Sequence, residues 1–343
     1  MAKTNPGRFF EDYAVGQVIA HAVPRTLSGG ERALYHALYP ARHALCSSDE
    51  FARACGLPAA PLDDMIAFHT VFGKTVPDVS LNAVANLGYA EGRFLRPVWP
   101  GDTLRSESEV IGLKQNSNGK SGVVWVRTRG LNQRGEAVLD YVRWVMVRKR
   151  DLDAPAPETV IPELAGAVAP ADLAVPEGLD FSNYDFTLAG EPHRWGDYEV
   201  GETIDHVDGV TVEEAEHMLA TRLWQNTAKV HFDATFREDG KRLIYGGHVI
   251  SMARALSFNG LANAQMIVGL NGGAHANPCF AGDTVTAWSE VLDKADTPAP
   301  GVGAIRLRLV ATRGRAPFAL KGEDSKYRPE VLLDLDYWAL MPQ

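Results

Sequence analysis

The chain repeats itself, and this duplication constrains its fold more than any other feature of the sequence. The segment DYAVGQVIAH at 12–21 matches DYEVGETIDH at 197–206 at six of ten positions. A second matching pair is RPVWPGDTLRSESEV, which begins at Arg96, and NPCFAGDTVTAWSEV, which begins at Asn277. Both members of this pair contain the turn sequence Gly-Asp-Thr. Because a repeated sequence indicates a repeated structural unit, we expect two copies of one fold.

A third shared segment shows where the second copy is longer. The tripeptide Leu-Asp-Tyr occurs at 139–141 and again at 335–337, so its separation of 196 exceeds the 185 and 181 of the first two pairs. The additional residues fall in APFALKGEDSKYRPE, residues 316–330. Its Gly, Pro and charged residues predict a hairpin loop between two strands.

The two copies are separated by a segment of different composition. Residues 151–185 are rich in Pro and Ala and have no sustained hydrophobic period, which predicts an extended linker. The sequence therefore predicts an N-terminal unit over 1–150 and a C-terminal unit over 186–343.

Within each copy, helix signals precede strand signals. Ser28-x-x-Glu31 and Thr211-x-x-Glu214 have the pattern of a capping box, so each predicts the start of a helix. A second helix is predicted in each copy, beginning near Asp64 and near Gly247. These helices are too continuously apolar for a surface position and should be buried. The alternating runs that follow predict long antiparallel strands: SGVVWVRTRG, AVLDYVRWVMV, AIRLRLVATRG and VLLDLDYWALM.

Composition excludes several classes of protein. The 343 residues have a formal charge of -9, which does not favour a nucleic-acid partner. No apolar run is long enough for a membrane span, and no secretory signal is recognisable at the N-terminus, so we expect a cytoplasmic protein without a membrane partner. The three cysteines lack metal-ligand spacing, and the ten histidines lack an HExxH pattern. No nucleotide-binding glycine motif is present, so we expect neither metal nor cofactor.

The duplicated pattern of a buried helix followed by a long antiparallel sheet resembles the hotdog fold. In particular, the chain resembles the MaoC-like, (R)-specific enoyl-CoA hydratases in their double-hotdog form, an α+β architecture. Two motifs support this resemblance, RPVWPGDT and NTAKVHFD, and the second occupies the place of the family's D-x-N-P-x-H motif. Two departures from that motif matter: Asn226 replaces its leading Asp, and Ala228 replaces its inner Asn.

The resemblance implies reversible addition of water to the double bond of an enoyl-CoA thioester, in a chain that forms a homodimer. His231 would be the acid-base residue and Asn226 would orient water, while Asp233 and His248 would lie at the substrate. Gly246 and Gly247 would present backbone N–H groups, at a helix N-terminus, to the enolate oxygen.

Among members of that family, the chain most resembles enzymes whose substrate has an acyl group with a second carboxylate. Such a substrate requires a cation, for which Arg254 is our first candidate, with Arg222 and Lys229 as alternatives. The candidates for contacts to CoA are Arg93, Arg96, Lys241 and Arg242.

The first copy has Asp63 and Asp64 where the second has its glycine pair, so we expect it to be noncatalytic and to shape the acyl pocket. An alternative is that one of these aspartates reaches the active site as the missing carboxylate.

Two other functions stay open. A hotdog thioesterase would need a carboxylate such as Asp233 or Asp64 to direct water, whereas an acyl-CoA binding module would need none.

Overall fold

The computed structural model of the chain describes residues 3–343. It contains ten strands: β1, Val18–Thr26; β2, Ala83–Phe94; β3, Thr103–Gln115; β4, Ser121–Leu131; β5, Ala137–Arg148; β6, Thr203–Thr211; β7, Met266–His275; β8, Thr284–Asp296; β9, Val302–Arg313; and β10, Val331–Pro342. All of them join one antiparallel sheet in the order β1-β3-β4-β5-β2-β7-β10-β9-β8-β6.

The strand order is the same in both halves of the sheet. The first half runs β1-β3-β4-β5-β2, and the second half has the equivalent order β6-β8-β9-β10-β7. The halves meet where β2 lies beside β7, at only two paired positions, Gly92 opposite Leu270 and Arg93 opposite Gly269. The sheet therefore consists of two complete units joined by a short seam, which is the arrangement of a double hotdog.

Nine α-helical segments accompany the sheet in the described part of the chain: α1, Gly29–Leu38; α2, Ala44–Ser47; α3, Asp49–Ala54; α4, Asp64–Thr75; α5, Phe186–Ala189; α6, Glu214–Leu223; α7, Lys229–Phe232; α8, Gly246–Leu256; and α9, Phe258–Leu261. All twelve residues of α4 are buried, as are ten of the eleven residues of α8. These are the two predicted central helices, and both belong to one large apolar cluster. None of the helices within residues 3–343 is long and apolar enough to cross a bilayer.

The two predicted capping boxes had different outcomes. Ser28 caps α1 as expected, since its side chain accepts from Gly30 N–H and the Glu31 carboxylate accepts from Ser28 N–H. The prediction for Thr211 is wrong. Thr211 is the last residue of β6, where its hydroxyl lies 2.9 Å from the hydroxyl of Thr284, and α6 begins three residues later without a side-chain cap. Cross-strand pairing thus takes precedence over local capping.

Matching side chains have the same partners in both units. Asp102 accepts a hydrogen bond from Trp99 N–H at 2.9 Å, and Asp283 accepts one from Phe280 N–H at the same distance, so the Gly-Asp-Thr turn is built twice in one way. Likewise, the Nε2 atoms of His21 and His206 each lie 2.8 Å from a serine hydroxyl on the neighbouring strand. The repeat seen in the sequence is therefore preserved at the level of single hydrogen bonds.

The predicted hairpin loop at 316–330 lies between β9 and β10, as expected. Residues 151–185 pass from the first unit to the second: Val160 pairs with Leu113 of β3, and the N–H of Ala165 donates to the Glu91 side chain on β2. Val168 in this segment is buried, its N–H donates to the Asn271 side chain, and its carbonyl accepts from the Trp338 indole. The segment therefore covers apolar surface of the second unit.

Candidate active site

A cavity of about 300 Å³ lies between the two units. The first unit contributes the C-terminal end of α4 and parts of β2 and β5. The second unit contributes the loop after α6, helix α7, the N-terminus of α8 and the end of β7. Its polar and ionisable lining residues are Ser80, Asn86, Tyr89, Arg143, Asn226, Lys229, His231, Tyr245, His275, Asn277 and Cys279. No aspartate or glutamate is among the lining residues within the described chain.

Asn226 is positioned by the turn that follows α6. Gln225 adopts a left-handed backbone conformation (φ 57°), and the N–H of Asn226 then donates to the Thr221 carbonyl at 2.9 Å. The turn sits directly on α4, where Gly73 lies so close that a Cβ atom would overlap the Trp224 carbonyl oxygen. Asn226 is only 2% exposed and lines the cavity, with its Oδ1 accepting from Ala228 N–H at 3.3 Å.

His231 lies on α7, with its ring partly exposed to the same cavity. Its Nδ1–H donates to the Leu243 carbonyl at 2.7 Å, which fixes the tautomer and leaves the Nε2 lone pair without a partner within residues 3–343. Burial lowers the pKa of His231 below its ordinary value, although the bond to Leu243 opposes that shift. The ring is therefore neutral at neutral pH, with Nε2 ready to accept a proton.

The N-terminus of α8 faces the cavity through Gly246. Gly246 and Gly247 are the first two helical residues, whose N–H groups have no acceptor within the helix. Gly246 must be glycine, because a Cβ atom there would overlap the imidazole of His275. The preceding Tyr245 is held by its N–H, which donates to His217 Nε2 at 2.9 Å. The helix thus offers free donors at its positive end.

His275 and Tyr89 complete this side of the cavity, and neither was assigned a role from the sequence. His275 is the last residue of β7, its ring packs on Gly246, and its Nε2 lies 3.1 Å from the Tyr89 hydroxyl. Burial, and to a smaller extent the nearby His231, lowers the pKa of His275 to about 4. Two neutral imidazoles therefore stand beside the N-terminus of α8.

Two residues expected at the substrate lie in the interior instead. His248 is fully buried with its Nδ1 2.9 Å from the Tyr39 hydroxyl, and it is not part of the cavity lining. Arg254 is also buried; it donates to His43 Nε2 at 2.6 Å and to the Ala264 carbonyl. Arg254 therefore does not face an acyl group, because it lies in the buried C-terminal half of α8 and is not among the cavity-lining residues.

Three other predicted binding residues, Asp233, Arg93 and Arg96, are also away from the cavity lining. Asp233 is exposed and accepts from both the N–H and the hydroxyl of Thr235, so it stabilises the turn after α7. Arg93 belongs to the seam on β2, and Arg96 is exposed in the following loop. Of the two alternative cations, Lys229 lines the cavity, whereas Arg222 is exposed elsewhere.

The aspartates of the first unit do not supply the missing carboxylate. Asp63 caps α4 by accepting from Met65 N–H at 2.9 Å, and Asp64 accepts from Ile267 N–H at 2.8 Å. Both lie at the N-terminus of α4, whereas the cavity is bounded by residues at its C-terminus such as Phe72. A twelve-residue helix separates these ends by roughly 18 Å.

Arg143 and Asn86 line the cavity and were missed in the sequence. A signal for Arg143 was nevertheless present, because it alternates with Tyr141, Val145 and Val147 on the inward face of β5. A charged residue in the inward phase of a strand is unusual. No group of three or more His, Cys, Asp or Glu side chains within residues 3–343 is placed to hold a metal ion.

Comparison with known proteins agrees with this architecture. A MaoC domain protein from Chloroflexus aurantiacus has a structure that superposes with a TM-score of 0.98 and 57% sequence identity, covering 100% of this chain and 99% of that one. A Mycobacterium tuberculosis protein described as having a double hotdog fold gives a TM-score of 0.77 at 25% identity, with 98% of each chain covered. The fold and the site thus define a MaoC-like double-hotdog protein.

Sequence relatives narrow this class to one family. A family model described as mesaconyl-CoA hydratase matches residues 1–319. The mesaconyl-CoA hydratase of Cereibacter sphaeroides is 81% identical over 342 residues, which cover 99% of this chain and 100% of the relative. The β-methylmalyl-CoA dehydratase of Chloroflexus aurantiacus is 58% identical over 348 residues, with 100% and 99% coverage. The chain belongs to the mesaconyl-CoA hydratase family.

Proposed function

We propose that the protein catalyses the reversible hydration of mesaconyl-CoA to β-methylmalyl-CoA. The observation that carries this proposal is the placement of His231, whose unpartnered Nε2 shares one cavity with Gly246, the first residue of α8. A base for water and donors for an enolate oxygen are what addition to an α,β-unsaturated thioester requires. The activities named for two full-length relatives support the same reaction.

Each bond change can be assigned to a group in the cavity. The water oxygen attacks the carbon that bears the carboxylate, while His231 Nε2 takes one water proton. The electrons of the double bond move toward the thioester, and the resulting negative oxygen is held by the N–H groups of Gly246 and Gly247. The carbon next to the thioester then takes the proton back from the imidazolium. Asn226 cannot act as a base, and its amide orients the water.

The absence of a lining carboxylate in the described chain argues against the thioesterase alternative. Hydrolysis of the thioester by a hotdog enzyme would need a carboxylate to direct water to the carbonyl carbon. Neither Asp233 nor Asp64, the two candidates, lines the cavity. Cys279 does line it, but burial raises the pKa of its thiol, which suppresses the nucleophilic thiolate. A binding module without activity would not need a histidine whose tautomer is fixed and whose Nε2 has no hydrogen-bond partner.

The first unit has a supporting role in this proposal. It lacks the histidine and glycine motifs, yet its Phe72, Tyr89 and Val145 form one wall of the cavity. We therefore assign acyl-group binding to the first unit and the acid-base chemistry to the second. Lys229, the exposed cation of the lining, is suited to the anionic CoA portion at the entrance.

We further propose a homodimer in the cytoplasm. The outer strands β1 and β6 expose large apolar residues, including Val18 (65%) and Val207 (53%), which a partner could cover. The three cysteines are free and buried, which suits a reducing compartment. Sedimentation tests the assembly, and a species of 37.3 kDa at micromolar concentration would contradict it.

One assay tests the catalytic proposal. Mesaconyl-CoA is added to the purified protein, and both the absorbance of the conjugated thioester and the release of free thiol are followed. Loss of absorbance without thiol release, together with formation of β-methylmalyl-CoA, is the expected result. Release of thiol would identify a thioesterase, and no change in either signal would leave only binding.

A further inference from the structure

Arg143 is a buried cation without a carboxylate partner. Its side chain is 0% exposed in the wall of the cavity, and one nitrogen, Nη2, donates to the Thr75 hydroxyl at 2.7 Å. The guanidinium carbon lies 4.3 Å from the centre of the Phe72 ring. The other two nitrogens, Nε and Nη1, have no hydrogen-bond partner within residues 3–343.

Such an arrangement is unstable unless an anion completes it. An arginine keeps its charge in proteins, and burying a charge without a counter-ion is costly. The acidic residue beyond this part of the wall, Asp78, is already engaged by Arg8 at 3.0 Å and by His21 at 2.9 Å. Within the described chain the hydrogen-bond partner of the Arg143 guanidinium is the Thr75 hydroxyl and not a carboxylate, and no carboxylate lines the cavity. The structure thus lacks its own anion for this site.

The position of Arg143 relates it to the proposed chemistry. On β5 it stands directly opposite Tyr89 of β2, whose hydroxyl contacts His275. His275 in turn packs on Gly246, at the site proposed for the thioester oxygen. Arg143 therefore lies on the cavity wall that continues from the proposed oxyanion site through Tyr89 and His275.

Asn86 adds a second unsatisfied polar group to the same wall. It stands opposite Val145 of β5, and Val145 is two residues from Arg143 on the same inward face of that strand. Both its Oδ1 and its Nδ2 are buried and have no hydrogen-bond partner in the described chain. Buried polar groups in folded proteins are normally satisfied, so two adjacent exceptions indicate a site for a ligand.

We propose that Arg143, assisted by the Asn86 amide, binds the second carboxylate of the acyl group. This inference rests on the proposed function and replaces the role first expected for Arg254. It orients mesaconyl-CoA with the thioester at α8 and the carboxylate at β5, so that the double bond lies between them. The carboxylate supplies the counter-ion that the protein lacks, and an acyl group without it leaves Arg143 unpaired.

The test uses two substrates that differ only at the proposed contact. Tiglyl-CoA has the carbon skeleton and double-bond geometry of mesaconyl-CoA, with a methyl group in place of the second carboxylate. Values of kcat/KM for both are measured in the wild type, in Arg143→Met and in Lys229→Met. We expect Arg143→Met to lower the ratio of the mesaconyl to the tiglyl value by about 10²-fold or more. Lys229→Met, which removes the other cation of the lining, should change both values in parallel.

The outcomes separate this inference from the proposed function. A wild type that hydrates neither compound contradicts the proposed function. A wild type that hydrates mesaconyl-CoA, together with an unchanged ratio in folded Arg143→Met, overturns the assignment of Arg143 alone. If Arg143→Met does not fold, Asn86→Asp decides the question. The new carboxylate would compete for the guanidinium and lower the ratio by about tenfold or more, and an unchanged ratio would overturn the inference.

Discussion

The replacement His231→Asn tests the acid-base role while preserving the local structure. The Nδ1–H of His231 donates to the Leu243 carbonyl at 2.7 Å, and an asparagine amide can donate to the same oxygen. We therefore expect the free energy of unfolding to change by no more than about 1 kcal/mol. The variant lacks the second ring nitrogen, however, and cannot accept the water proton. A loss of about 10²- to 10⁴-fold in kcat follows, equivalent to roughly 2.7 to 5.5 kcal/mol of activation free energy.

The assay for this prediction is hydration of mesaconyl-CoA, with thermal unfolding measured in parallel. His206→Asn is the matched control, because the Nδ1–H of His206 also donates to a backbone carbonyl, that of Asn259 at 2.8 Å, and His206 is remote from the cavity lining. The control should lose stability without a comparable loss of kcat. Retention of more than about half of the wild-type kcat by folded His231→Asn, or by His231→Ala, would refute the acid-base assignment.

Three further predictions concern pH, the oxyanion site and the α6–α7 turn. Because the pKa of His231 is lowered and the base must be neutral, kcat/KM should be constant near neutrality and fall only as the pH drops below about 6.5; a fall beginning at higher pH would contradict this. Gly246→Ala should lower kcat by about 10- to 10³-fold, because its methyl group would displace the donors of the oxyanion site. The control is Gly29→Ala, at the open first position of α1, which should leave kcat unchanged. Equal values of kcat for the two variants would refute the role of Gly246. Gly73→Ala should lower the melting temperature by several degrees and also reduce kcat, because the added methyl group would overlap the Trp224 carbonyl oxygen. An unchanged melting temperature would contradict the close packing of Gly73 on Trp224.

Most of the fold could be predicted from the sequence because its signals are periodic and occur twice. The alternating run from Ala304 and the run from Val331 form β9 and β10, and the apolar segments from Asp64 and Gly246 form the central helices. Thr211 was wrongly predicted to cap a helix because its hydroxyl pairs with that of Thr284, 73 residues further along the chain. No local sequence pattern indicates such a contact. Local patterns predict elements well and predict their tertiary partners poorly.

Only part of the cavity lining was predicted from the sequence. Asn226 and His231 were expected there because a contiguous motif carries them, and Gly246 because it begins a helix; all three line the cavity, whereas Gly247 does not. Arg254 was placed at the substrate from helix periodicity alone, yet only the N-terminal part of α8 reaches the cavity, and Arg254 donates a hydrogen bond to His43 in the interior. Arg143 was missed because its importance depends on the lack of a neighbouring carboxylate, and that is a property of the folded cavity.

The duplicated sheet has a consequence for how such a substrate can be accommodated. Two identical hotdog chains that associate side by side must present the same residues to both of their symmetry-related clefts. In the fused chain, the Leu-Asp-Tyr alignment pairs Arg143 with Ala339, a buried alanine on β10. An arginine can therefore stand in one of the two equivalent clefts while a small apolar residue occupies the corresponding place in the other. Duplication within one gene thus permits only one cleft to be adapted to an acyl group with a second carboxylate, and the stoichiometry of binding should be one acyl-CoA per chain instead of two.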